Sequence, residues 1–198
     1  MLFSGPMVRA ILEGRKTQTR RVVKHIPALG SPDKWCGREH DPQFNAIAGD
    51  FRDYAPYPVG TRVWVRETWR TDHANHQTKP SGLPVYEPIY YESTASCTVE
   101  PTMGWGVKRP AIFMMRWMSR ITLGITDVRV ERLQDICEED AWEEGIHDLA
   151  ADNEQWYGDP DQGRKTFCLL WESINGPGSW DQNSWVWVYT FKRVEVQA

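Results

Sequence analysis

Apolar residues recur at helical spacing at Met7, Val8, Ile11 and Leu12, with Ser4, Gly5 and Pro6 ahead of them and Gly14 behind. Serine at an N-cap, proline in the first turn and glycine at a left-handed C-cap predict a short helix that stops just before Arg15. Farther on, Gly60 reads as a turn residue, and Val63, Trp64 and Val65 predict a strand that Arg66 and Glu67 carry toward Trp69. Ile89, Tyr90 and Tyr91 predict a second, short strand, and Ala111 to Met115 reads as extended. From Ile121 to Leu133, Val128 and Val130 alternate with Arg129 and Glu131, the period of a half-buried strand. Glu138 to Glu144 predicts a helix stopped by Gly145. Gln162 to Asn175 predicts another, with Phe167, Leu170, Trp171 and Ile174 on one stripe and Gly176, Pro177 and Gly178 ending it. The run from Trp185 to Val196 is almost continuously apolar, as in a buried strand. Residues 26–58, 71–84 and 94–107 read as polar connections rich in turn formers.

Several strands and few helices, without a βαβ rhythm, predict an α+β fold around a small mixed barrel. At 198 residues, one domain is the simpler organisation: 1–198 with loop insertions at about 26–58 and 71–108. No long apolar run and no apolar leader occur, so no membrane contact and a cytoplasmic setting are expected. Cys36, Cys97, Cys137 and Cys168 form no CxxC pair and read as spectator thiols. Most of the eleven tryptophans, Trp64, Trp69, Trp117, Trp171, Trp185 and Trp187 among them, fall in patterned segments, where core packing and base stacking look alike.

The net charge of −4 conceals segregation. Residues 1–25 carry Arg9, Arg15, Lys16, Arg20, Arg21 and Lys24 against Glu13 alone, whereas 131–161 carry twelve acids against Arg132. A second basic stretch holds Lys108, Arg109, Arg116, Arg120 and Arg129. Such blocks allow a local positive surface on a mildly acidic chain, which phosphate contact requires, or simply opposed solvated faces. Arg20, Arg21, Arg66, Arg116 and Arg120 are the candidates for bidentate phosphate contact. Arg66 and Glu67 share a predicted strand, so one of them points inward, as a ligand contact or a structural ion pair.

Glu144 falls in the last turn of its helix, next to the negative end of the dipole and other carboxylates, so it requires open water or a nearby cation. The spacing of Cys36 with His40 and of His73 with His76 suits a metal, but no second tight pair accompanies either, so no metal or other cofactor is expected. No P-loop, dinucleotide fingerprint or Ser-His-Asp signature occurs.

Taken together, the run Gly14, Arg15, Lys16, Thr17, Gln18, Thr19 and Arg20, and the segment Glu138 to Ile146 that ends in Glu144, Gly145 and Ile146, resemble the ASCH (activating signal cointegrator homology) family. Val63 to Trp69, Arg109 to Phe113, Arg116 with Trp117, and the terminal strand from Trp185 match its longer phage and prophage members. The resemblance implies a PUA-like mixed β-barrel with flanking helices, and a nucleoside or RNA ligand in a bacterial host cell. Small bacterial ASCH proteins include amidohydrolases that remove the acetyl group from N4-acetylcytidine with a Lys, a Thr three residues later and a Glu on a downstream helix. Those positions correspond to Lys16, Thr19 and Glu144. This chain is about twice as long as those enzymes.

Hydrolysis of an exocyclic amide requires a nucleophile or activated water, a proton donor for the leaving amine and a charge for the oxyanion. Thr19 supplies a hydroxyl; Lys16 supplies a base or a positive charge, according to whether burial or Glu144 dominates its ionisation. Positions three apart in a regular strand face opposite sides, so Lys16 and Thr19 converge only through a turn. A non-catalytic binder of RNA or modified bases using the same pocket, with Glu67 and Trp69 beside the arginines, is the other reading.

Overall fold

The computed structural model describes residues 1–23, 27–28, 31–35, 55–101 and 103–194. In chain order the elements are α1 (Gly5–Leu12), β1 (Gln18–Val22), the short antiparallel pair β2 (Pro27–Ala28) and β3 (Ser31–Trp35), β4 (Arg62–Trp64), β5 (Trp69–Arg70), β6 (Tyr90–Tyr91), β7 (Ser96–Cys97), β8 (Thr122–Arg132), α2 (Glu138–Glu143), α3 (His147–Ala151), α4 (Gln162–Asn175) and β9 (Trp185–Val194). The class is mixed α+β, with few helices and a curled antiparallel sheet of half-barrel form. None of the described helices is long and apolar enough to cross a membrane. The chain, read above as one domain, divides into two compact units: Met1–Gly14 with Arg62–Leu123 and Arg193–Ala198, and Arg15–Thr61 with Gly124–Lys192.

In the first unit, α1 is bounded as its sequence predicts: Pro6 lies in the first turn and Gly14 sits at φ +77°. The strand predicted across 59–69 breaks in two. Arg66 donates its N–H to Met1 O at 2.8 Å and its carbonyl accepts from Phe3 N at 3.2 Å, so the N-terminal residues replace the expected ladder partner. Pairing resumes at Trp69, which exchanges backbone bonds with Arg109 at 3.1 and 2.8 Å. β5, β6 and β7 follow as an antiparallel sheet, so the connection read over 94–107 contains a strand. The segment Ala111 to Met115 is not extended; Ala111–Phe113 forms a 3₁₀ turn. Pro110, with its fixed φ, starts the turn, and Phe113 N–H bonds back to Pro110 O at 3.1 Å. Trp69, Leu83, Ile89, Tyr91, Met114 and Met118 form this unit's core.

In the second unit, β1, β9 and β8 are hydrogen-bonded neighbours in that order. The β1–β9 register places Thr19 opposite Tyr189, Arg20 opposite Val188 and Arg21 opposite Trp187. Side chains alternate, so Arg20, Val186 and Val188 share one face while Thr19, Arg21, Trp187 and Tyr189 share the other. Val186 and Val188 join Leu133, Ile136, Phe167 and Trp171 in the core beneath α2 and α4. Because β9 is buried on both faces, it reads as a continuous apolar run. Phe167 and Trp171 are buried as predicted, but Ile174, placed by spacing on the same stripe, is exposed because α4 ends one residue later.

Glu138 holds the start of α4. Its carboxylate accepts from Gly163 N, from Arg164 N at 3.0 Å and from Trp142 Nε1 at 2.9 Å. Glycine at 163 leaves room for this arrangement: a Cβ there would lie 2.6 Å from Glu138 Oε1 and 2.9 Å from Trp142 Nε1 and would displace them from these bonds.

Candidate functional site

After α1 the chain turns at Gly14 and becomes extended. Lys16 bridges Glu144 in antiparallel fashion, Thr17 N–H donates to Glu143 O at 2.9 Å, and Phe191 N–H donates to Thr17 O at 2.8 Å. Glu144 is the C-cap of α2, and Gly145 follows at φ +79°, the left-handed stop read from the sequence. Two distant segments therefore meet through backbone pairing before any side chain is considered.

Glu144 has the cation that its position demands, twice over. Lys16 Nζ donates to Glu144 Oε2 at 2.7 Å and to Glu144 O at 2.7 Å, and Arg20 Nη1 lies 3.1 Å from Glu144 Oε1. Arg20 also reaches Glu131 Oε1 at 2.6 Å and Asp140 Oδ2 at 2.9 Å, and its guanidinium lies 5.8 Å from the Phe167 ring centre. Arg129 pairs with both Glu131 and Asp140, and Gln18 Nε2 donates to Asp140 Oδ1 at 2.8 Å. Three cations thus face three carboxylates.

The Lys16 and Arg20 side chains are 0 % exposed. Burial pulls the Lys16 ammonium below its ordinary range, against the opposing pull of Glu144. Burial acts the same way on Arg20, but Glu144 and Glu131 outweigh it and raise its proton affinity. Arg20 is therefore spent on carboxylates inside the protein.

Thr19 lies in β1 between two members of this cluster. Gln18 and Arg20 both bond the acids of the helix side, so strand alternation turns Thr19 to the opposite face. There it stands across from Tyr189, whose ring packs edge-on against Tyr57 at 5.6 Å. Arg21 shares that face and is half-buried; burial lowers its proton affinity, with Glu144, Tyr57 and Tyr189 opposing. Burial likewise raises the Tyr189 hydroxyl. Of the three residues Lys16, Thr19 and Glu144, the fold joins the first and the last.

The remaining candidates belong to the first unit and separate by burial. Glu67 is 1 % exposed and takes a bidentate Arg120 at 2.9 Å on each oxygen, with Ser93 Oγ as a further donor. Arg120 also donates to Thr94 and Ser96 and stacks 4.0 Å above the Tyr91 ring. Burial pushes the Tyr91 hydroxyl up to about 12, and it donates to Met118 O at 2.9 Å. Of the two options for Arg66 and Glu67, Glu67 takes the inward place, as half of an ion pair. Trp69 is fully buried in the core and offers no ring face for stacking. Arg66 lies over the Trp64 ring at 4.4 Å and donates to Ile112 O at 3.3 Å, while Arg116 is exposed.

Sequence reasoning missed the hydroxyl partners Ser93, Thr94 and Ser96, although their clustering within Glu92 to Cys97 was a signal. It also missed Gln18, Glu131 and Asp140, which become partners only through pairing between remote segments.

His73 and His76 stack at 4.4 Å, and Cys36 and His40 lie outside the described residues. Among the described residues no group of three or more His, Cys, Asp or Glu is arranged to hold a metal. The chain matches no protein-family model, no curated protein and no solved structure.

Proposed function

We propose that the chain is an ASCH-type protein of PUA-like fold that binds a nucleobase or nucleoside on the sheet face carrying Thr19, Arg21, Trp187 and Tyr189. The observation that carries this reading is the split of β1. Gln18 and Arg20 bond acids on the helix side, whereas the alternate positions Thr19 and Arg21 bring a hydroxyl and a guanidinium to the face of Trp187 and Tyr189. Trp187 and Tyr189 are buried in the sheet, as Thr19 is, so a planar, polar heterocycle is met at the edge of this face by the Arg21 donor and by the ring and hydroxyl of Tyr57. Arg21 and Tyr57 are only half-buried and supply the accessible part of the face. The curled antiparallel sheet is compatible with the barrel that the resemblance implies. With this placement goes a phage or prophage gene product acting in a bacterial cytoplasm, and, separately, RNA contact through Arg66 and Arg116 of the first unit.

A second reading, amide hydrolysis on an N4-acetylcytidine-like substrate, is favoured by one observation: burial depresses Lys16 while Glu144 holds it. A water oxygen adds to the acetyl carbon, the C–N bond breaks, and the exocyclic nitrogen takes the proton, leaving acetate and cytidine. Lys16 in its amine form accepts the proton from water. Water is the nucleophile in this scheme.

One experiment separates the readings. N4-acetylcytidine and cytidine are titrated calorimetrically into the protein while acetate release is followed by NMR. Saturable binding without acetate, lost in Arg21→Gln, supports the binder. Acetate release that disappears in Lys16→Met supports the enzyme. Neither heat nor acetate refutes both.

A further inference from the structure

We infer that the second unit carries another ligand site, for a small planar aromatic anion, in the cleft along the outer stripe of α4 between Trp156 and Trp180. This inference does not depend on the β1–β9 face. The sequence pattern assigns Phe167, Leu170 and Trp171 to the core side of α4. Asp161, Arg164, Lys165, Cys168 and Leu169, at i, i+3, i+4, i+7 and i+8, form the neighbouring stripe. That stripe floors a cleft of about 360 Å³, with Trp156 from the turn before the helix and Trp180 from the turn after it also lining the space. The volume lies within the range of small-molecule pockets, about 300–1,000 Å³.

Two observations define the occupant. Indole rings bracketing a floor that sets Cys168 and Leu169 beside the charged side chains match a flat aromatic ring. Trp180 is held for that role: its ring packs edge-on against Phe167 at 6.2 Å, and its carbonyl accepts from Gln134 Nε2 at 3.1 Å and Asn183 N at 3.0 Å. The charge comes from Arg164 and Lys165.

Arg164 is anchored by a 3.0 Å bond from Nη2 to Gln134 O, and its Nε is buried with no hydrogen-bond partner among the described residues. The Arg164 side chain lines the cleft and is 40 % exposed, so an anionic ligand oxygen meets its guanidinium there. The backbone N–H groups that open α4 cannot play this part, because Glu138 already occupies those of Gly163 and Arg164. The anion must therefore be held by side chains. Lys165 pairs with Asp159 and Asp161 lies 4.0 Å from Arg164, so the site tolerates a single negative group better than a polyanion.

The test uses the whole chain labelled with ¹⁵N and follows the indole N–H signals, with those of Trp156 and Trp180 assigned through the Trp156→Phe and Trp180→Phe variants. The probes are a nucleoside monophosphate, an aromatic carboxylate such as indole-3-carboxylate, an uncharged nucleoside, and inorganic phosphate. We expect the two aromatic anions to shift both indole signals saturably with dissociation constants of about 1 mM or tighter, and the other two to bind at least about tenfold more weakly. Whichever aromatic anion binds more tightly identifies the source of the charge. Arg164→Gln is expected to weaken binding by about tenfold. Leu169→Glu, which places a carboxylate on the cleft floor at a position already exposed, is expected to abolish binding while leaving the remaining spectrum in place. The inference is overturned if neither aromatic anion shifts these indoles, or if folded Leu169→Glu binds as the parent protein does. Failure here leaves the β1–β9 face untouched, because Arg21→Gln is expected to leave this cleft unaltered.

Discussion

Glu144→Gln isolates the charge that ties Lys16 into the fold. In the native cluster Lys16, Arg20 and Arg129 balance Glu131, Asp140 and Glu144; the substitution preserves shape and leaves three cations facing two carboxylates. Arg20 keeps Glu131 and Asp140, so the loss falls on Lys16, whose side chain is 0 % exposed and retains the carbonyl of residue 144 as acceptor. Removing one partner of a buried pair destabilises by about 3–5 kcal/mol, and the lower end applies because a buried lysine escapes part of the penalty by releasing its proton. Lys16→Met alone should be milder, because Glu144 keeps Arg20 at 3.1 Å. Lys16→Met combined with Glu144→Leu should return to within about 1 kcal/mol of the parent, since replacing both members of a buried pair by apolar groups is often neutral. Urea unfolding followed by tryptophan fluorescence measures all four proteins, with slopes checked for equality. If Glu144→Gln lost less than about 1 kcal/mol, or the double variant lost as much as Glu144→Gln or more, the pair would not be the buried, mutually dependent unit described.

Gly163→Ala, normally stabilising inside a helix by about 1 kcal/mol, should instead destabilise, because its methyl meets Glu138 Oε1 and Trp142 Nε1; urea unfolding gives the sign. Lys16 carries a depressed affinity for its proton in the folded state, so the unfolded chain binds more protons between the folded midpoint and 10.5. Stability relative to Lys16→Met should therefore rise as pH approaches that ordinary value and level off above it; a flat difference across roughly pH 8–11 would contradict the burial argument. His147 is pushed below its ordinary 6.5 by burial and then by Arg15, with Asp148 opposing, so its NMR titration midpoint should lie below that value and move upward in Arg15→Ala.

The longer periodic segments were legible in the sequence because each repeats one environment for many residues. α4, from Gln162 to Asn175, and the alternation over β8 are two such segments. The 3₁₀ turn at Ala111–Phe113 was not, because an apolar run after Pro110 has the composition of a strand while the proline starts a turn. Likewise the break between β4 and β5 depends on Met1 and Phe3, sixty residues away, taking the backbone bonds of Arg66.

The site divides the same way. Local signals announced that Glu144 needed a cation, since helix end and acidic neighbours are adjacent in the chain. That Lys16 would supply it, along with Arg20, required the backbone bridge between residues 16 and 144. That Thr19 lies on the face opposite Gln18 and Arg20 followed from strand period once Gln18–Val22 was known to be a regular strand.

Calorimetric titration of N4-acetylcytidine into the parent protein, Arg21→Gln and Lys16→Met decides whether a nucleoside-type ligand binds on the face of β1 that carries Thr19 and Arg21. The account predicts saturable heat in the parent and in Lys16→Met, and at least about a tenfold weaker affinity in Arg21→Gln. Equal affinity in the parent and Arg21→Gln, with binding lost in Lys16→Met, would contradict that reading and place the ligand at Lys16 and Glu144.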